Sequence, residues 1–157
     1  MLENNKPILI ALTLTIILFL GYGISSIFKK PAIAFTNPIN GKEEIDPKTK
    51  IEITFNTPVS ESMKDKIFIT PKTEGTFTFE NQSLIFKKPK KVIFTSSKDL
   101  ISSTEYKIEI KEPRSWIGIK GKDYSFVFNT KYIPWNELSP EQQEREIQVT
   151  EEGVEEE

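Results

Sequence analysis

From Lys50 the run "KIEITF" alternates, with Ile51, Ile53 and Phe55 on one side and Lys50, Glu52 and Thr54 on the other. That is the period-two pattern of a strand with one buried face. The same beat returns in "GTFTFE", where Phe77 and Phe79 oppose Thr76 and Thr78. It recurs in "SLIFK", where Leu84 and Phe86 share a face after the turn-forming Asn81 and Gln82. These two runs are expected to pair as a hairpin. "TEYKIEI" sets Tyr106, Ile108 and Ile110 against Glu105, Lys107 and Glu109, and "DYSFVFNT" aligns Tyr124, Phe126 and Phe128. With Ile33 and Phe35, Ile67 and Ile69, and Val92 and Phe94, the pattern predicts about eight short strands. Clusters of Pro, Gly, Asn and Ser separate them, which favours antiparallel sheets over alternating β and α units. The expected fold class is all-β, an antiparallel sandwich; a closed barrel of the same strand count is the alternative that periodicity leaves open.

The two ends of the chain break this pattern. From Pro7 to Phe28, "PILIALTLTIILFLGYGISSIF" carries no charge, and as a helix it would match a hydrocarbon core of ~30 Å. Pro7 suits a first helical turn, and Lys29, Lys30 and Pro31 close the run. A transmembrane helix over 7–28, retained as a signal anchor, is expected. The alternative is a cleaved signal peptide, with Lys6 as its basic end, Ile8 to Leu20 as its apolar region and Gly21 and Gly23 placed like a cleavage site. The apolar run continues past Gly23 to Phe28, which favours the anchor. Lys6 and the amino terminus, offset by Glu3, face Lys29 and Lys30, so charge leans slightly against export of the domain C-terminal to the helix; that rule weakens for long translocated domains.

At the other end, residues 137–157 hold nine Glu against the single Arg145, a net charge of −8. Ser139, Pro140 and Gln142 form a capping box for a short helix over 140–148, with a largely disordered acidic tail beyond Thr150. The tail is read either as a solvating terminus or as a dock for a basic partner or for its own domain. The expected organisation is a flank (1–6), a membrane helix (7–28), a linker (29–31), a sandwich (32–131) and the tail (132–157).

Three local motifs carry a resemblance. "NPINGKEEIDPKTKIEITFNTPV" runs from a Pro-and-Gly turn through a second Pro turn and a strand to Phe55, Pro58 and Val59. "DLISSTEYKIEI" approaches a strand through Leu100, Thr104 and Tyr106, and "YSFVFNT" closes on Phe126, Phe128 and Thr130. The span from Ile33 to Thr130 resembles a bacterial Ig-like domain of the S-layer protein type, which implies an Ig-like sandwich. Physically, Pro58 lacks the donor to continue a ladder and restricts Thr57, so Phe55-to-Val59 should build a corner from which Val59 re-enters the core. Tyr106 is expected to serve as a tyrosine corner, its hydroxyl bonded to upstream backbone. "EPRSWIGIKGKD" departs from the pattern, being longer and more apolar than a plain turn. Trp116 there is a candidate binding aromatic, or a tryptophan folded back on the sandwich edge.

Composition narrows the chemistry. There is no Cys and no His, so disulfides, thiolate chemistry and the commonest general base and metal ligand are excluded. Copper has only Met1 and Met63 to draw on. Asn40, Glu43, Glu44 and Asp46 offer oxygens near one turn but match no dedicated calcium loop. Ser60, Ser62 and the carboxylates sit in no recognisable catalytic context, so neither an enzyme nor a cofactor is expected, and no small-molecule substrate. The basic run Lys87, Lys88, Lys90 and Lys91 is a candidate polyanion contact or a solvated loop. From Pro31 to Asn136 the count is 17 Lys and Arg against 13 Asp and Glu; this mild excess without interleaved aromatics argues against nucleic acid.

The expectation is a non-enzymatic cell-envelope protein, single-pass in the cell membrane, with its domain outside the cytoplasm as a structural or interaction module. Its expected partners are the membrane and an envelope protein or wall polymer. The alternatives are an accessory subunit of a membrane complex, with the sandwich as a spacer, and a wall hydrolase.

Overall fold

The computed structural model describes residues 10–18, 28–80 and 88–154. Alternating faces assemble two four-stranded sheets. One has the order β1 (Ile33–Asn37), β3 (Ile51–Phe55), β6 (Lys91–Ser96), β5 (Gly75–Glu80). The other has the order β2 (Lys42–Ile45), β8 (Tyr124–Thr130), β7 (Glu105–Ile110), β4 (Ile67–Thr70). All pairings are antiparallel except β2 with β8, which is parallel. Two open sheets, each burying one face against the other, make a sandwich rather than a closed barrel. The core joins Ile51, Ile53, Phe55, Val92 and Phe94 to Tyr106, Ile108, Ile110, Phe126 and Phe128, all nearly inaccessible, with Val59, Met63 and Leu100 closing its ends.

Several expectations need correction. Among the described residues no helix is long and apolar enough to cross a membrane. The described helical residues, 10–18 (α1), account for about 13 Å at ~1.5 Å per residue, under half of a hydrocarbon core. Residues 7–9 and 19–27 of the expected 7–28 span lie outside the described residues. At the other end the tail is ordered further than expected: α2 runs Pro140–Val154. Ser139 and Gln142 cap it reciprocally, with Ser139 N–H donating to Gln142 Oε1 at 2.8 Å and Gln142 N–H to Ser139 Oγ at 3.3 Å. Polar contacts then seat it on the loop after β6. Gln142 donates to Asp99 Oδ2 at 3.0 Å, Arg145 Nη1 to the Asp99 carbonyl at 2.5 Å and Ser102 Oγ to Glu146, while Lys98 pairs with Glu141 at 2.6 Å. A helix that would be marginal alone is held by its neighbours.

The strand "GTFTFE" pairs with β6, in unbroken register from Gly75↔Ser96 to Glu80↔Lys91. Its expected hairpin partner, 83–87, lies outside the described residues. Phe77 and Phe94 meet with ring centroids 5.0 Å apart. In β1 a register shift between Ile33 and Phe35 breaks the alternation. Ile33 packs against the core, Phe35 turns out to 53% exposure and Thr36 is buried in its place, the face switch that a bulge imposes.

Candidate functional site

The corner after β3 organises one end of the sandwich. Phe55 is buried and its N–H reaches the Lys90 carbonyl at 2.8 Å. Asn56 then fastens the incoming chain, its Oδ1 accepting from Ala32 N–H at 2.9 Å. Pro58 and Val59 are buried, and their backbone groups bind in two directions. Val59 N–H donates to the Pro89 carbonyl at 2.8 Å, while the Pro58 carbonyl accepts from Trp116 N–H at 3.1 Å. Ser60 N–H adds a bond to the Arg114 carbonyl at 3.2 Å, and Val59 forms a bridge with Ser115. A corner that ends a ladder thus uses its freed backbone groups to clamp two other segments.

The 111–123 loop is built to be clamped. Ser115 N–H bonds the Ile119 carbonyl at 2.9 Å, and the Ser115 hydroxyl accepts from Ile119 N–H at 3.0 Å. Gly121 N–H reaches the Pro113 carbonyl at 2.7 Å, and a side chain at Gly121 would overlap the Pro31 carbonyl. Lys120 lies 3.0 Å from Glu112, and this hydrogen-bonded ammonium holds the Glu112 carboxyl below the usual carboxylate range. The loop accordingly lies across the end of the sandwich as a second layer, with Trp116 half-buried.

Clamping brings Trp116 and Lys88 together. They line one open hollow of about 330 Å³ with Val59, Ser60, Glu61 and Pro89. The half-buried Trp116 ring, backed by the buried Val59 and Pro89, sits beside one ammonium and one carboxylate, a lining able to take an amphipathic partner. The Ser60 and Ser62 hydroxyls lie 2.9 Å apart, and Ser60 Oγ accepts from Ser62 N–H to cap the 3-10 turn Glu61–Lys66.

The rest of the basic run is dispersed. Lys87 lies outside the described residues, Lys90 is half-buried where the chain enters β6, and Lys91 pairs with Glu52 at 2.7 Å across the sheet. That hydrogen-bonded carboxylate raises the Lys91 ammonium above its ordinary range. Ser60, Glu61 and Pro89 went unread as site residues. The Ser60 cap was their one local signal, and nothing in the sequence says which loops the corner joins.

Other singled-out residues close the opposite end. Tyr106 is fully buried, stacks on Phe128 at 5.6 Å and accepts from Ile101 N–H at 2.9 Å through its hydroxyl. The Thr130 hydroxyl donates to the Ile101 carbonyl at 2.6 Å and accepts from Thr104 N–H at 2.9 Å. Phe126 and Phe128 are buried core. Of the oxygen-bearing residues near the β1–β2 turn, Asn40 accepts from Val127 N–H and Asp46 pairs with Lys131. No group of three or more His, Cys, Asp or Glu among the described residues is placed to hold a metal ion.

The sandwich has a family. The bacterial Ig-like domain family matches residues 29–130. This chain belongs to that family. The bacterial Ig-like unit therefore includes the Pro58–Val59 corner and the Trp116 loop, while α2 lies beyond it. No curated protein matches the chain as a relative. Solved structures similar to this bacterial Ig-like chain include an L,D-transpeptidase from Mycobacterium smegmatis, 15% identical with a TM-score of 0.47, covering 66% of this chain and 41% of that one. The N-terminal part of the bacterial S-layer protein SbsC is 17% identical with a TM-score of 0.42, covering 66% of this chain and 24% of that one. The chain thus spans about two fifths of the transpeptidase's length.

Proposed function

We propose that this protein is a non-enzymatic module of the cell envelope, placed outside the cytoplasm, that holds an envelope polymer or protein in the Trp116 groove. The carrying observation is the convergence of Trp116 and Lys88 on one hollow, fixed by backbone bonds to the Pro58–Val59 corner. A rigid aromatic flanked by opposite charges presents a large contact area at little entropic cost, the usual make-up of a binding anchor. Motifs of the S-layer type between Ile33 and Thr130 support the envelope setting, and the absence of His and Cys from the sequence supports binding over catalysis.

The accessory-subunit reading assigns the contacts to the N-terminal helix or the acidic tail. Lys98 and Ser102 already engage Glu141 and Glu146, which favours the groove. Co-sedimentation of the full chain with isolated envelope material tests the proposal. Trp116→Ala should weaken binding about tenfold, as loss of a central aromatic does, and Lys88→Gln by less. If both variants sediment like the wild type, the groove is not the binding site.

A further inference from the structure

We infer that the hollow beneath α2, at the end of the sandwich opposite the Trp116 groove, is a second binding site, for a neutral saccharide. Where the chain leaves β8 it passes Lys131, Tyr132, Ile133 and Pro134 over the Asp46–Lys48 turn. Gln142 of α2 and Asp99 of the preceding loop complete a cavity of about 420 Å³. Tyr132 lines it yet is 68% exposed. Such an aromatic with nothing packed over it has a large apolar surface left for a ligand.

The polar lining is held in place. Asp46 is oriented by Lys131 Nζ at 2.8 Å and by Lys48 N–H at 3.0 Å, and Asp99 by Gln142 at 3.0 Å. Lys131 draws the Asp46 carboxyl below its ordinary range.

The lining chemistry selects among ligands. An anion would meet three carboxylates, Asp46, Asp99 and Glu137, against two ammonium groups, Lys48 and Lys131, of which Lys131 is already tied to Asp46. A metal ion has no group of three ligands here among the described residues, and a wholly apolar ligand would desolvate the carboxylates. A sugar fits each feature. Its hydroxyls both donate to carboxylates and accept from the Gln142 amide, and its C–H faces cover a tyrosine ring. Because α2 supplies a wall and lies beyond residues 29–130, the site belongs to this chain rather than to the family unit. It does not depend on the Trp116 reading.

The test is an amide-resolved NMR titration of the full chain with N,N′,N″-triacetylchitotriose, with maltotriose and inorganic phosphate alongside. At least one trisaccharide should shift the amides of Tyr132, Ile133 and Gln142 saturably in the millimolar range. Tyr132→Ala should weaken that binding about tenfold and Glu137→Gln about threefold, and Trp116→Ala should leave it unchanged. Both site residues are exposed, so an unchanged urea midpoint certifies the fold of each variant. Absence of saturable shifts with either sugar up to about 20 mM, wild-type binding by Tyr132→Ala, or phosphate binding at the same amides each overturns the inference.

Discussion

Tyr106→Phe isolates one hydrogen bond in an otherwise apolar setting. The ring is 0% exposed and stacks on Phe128, so phenylalanine keeps the volume and leaves no cavity. Only the hydroxyl is lost, and with it the acceptor that Ile101 N–H has among the described residues, 2.9 Å away. A net hydrogen bond contributes about 1 kcal/mol, and a donor left unsatisfied under a buried ring costs about 1–3 kcal/mol, so a destabilisation of about 2 kcal/mol is expected. For a domain of about 100 residues, with a urea slope near the low end of the usual range, the midpoint should fall by about 1–2 M. Tm should fall by about 10 °C. Equilibrium urea unfolding followed by tryptophan fluorescence measures it. A midpoint within about 0.3 M of the wild type would refute the reasoning, because the hydroxyl would then contribute almost nothing net. Thr130→Val, which strips a second bond from the same loop, should cost less in combination than the two single losses summed, since both act on residues 101–104.

Two further outcomes follow from the geometry. The carboxyls of Asp46, Glu109, Glu112 and Glu141 all lie below their ordinary values, chiefly through hydrogen bonds to Lys131, Lys107, Lys120 and Lys98 respectively. The native state thus binds fewer protons than the unfolded chain in acid, so this contribution is fully present above the unfolded values of ~4 and is lost as pH falls through the folded ones. The urea midpoint should stay level from about pH 8 to 5 and drop below about 4, less so in ~1 M salt; with no His in the chain, a fall beginning near pH 6 would contradict this. Gly121→Ala should destabilise by about 1–3 kcal/mol as its methyl meets the Pro31 carbonyl, and unchanged thermal unfolding would show that the loop yields freely.

Legibility in the sequence followed the strength of each residue's period. Ile51, Ile53, Phe55, Tyr106, Ile108, Ile110, Phe126 and Phe128 alternate cleanly and are all buried, because strands with one face on a core must obey that period. Edge strands obey it less: "KEEI" gave no signal, since β2 buries almost nothing and is held by its parallel pairing with β8. Phe35 misled because a bulge, invisible in composition, swaps it with Thr36. The acidic tail read as largely disordered because its docking partners, Lys98, Asp99 and Ser102, lie some 40 residues upstream. The same limit hid the site: Trp116 and Lys88 were legible as residue types, but their meeting depends on which carbonyls the Pro58–Val59 corner reaches.

The direction in which the chain threads the sandwich has a mechanical meaning. It enters β1 at the Trp116 end, where Ile33 faces Phe55, and leaves β8 at the opposite end, where Thr130 faces Ile45. Tension applied between the two flanks therefore pulls β1 and β8 lengthwise in opposite directions. Ladder hydrogen bonds of antiparallel pairs run across the strands, so those joining β1 to β3 resist that pull together, in shear, instead of opening one by one like a zip. The same residues threaded with both flanks at one end would peel apart under a much smaller force.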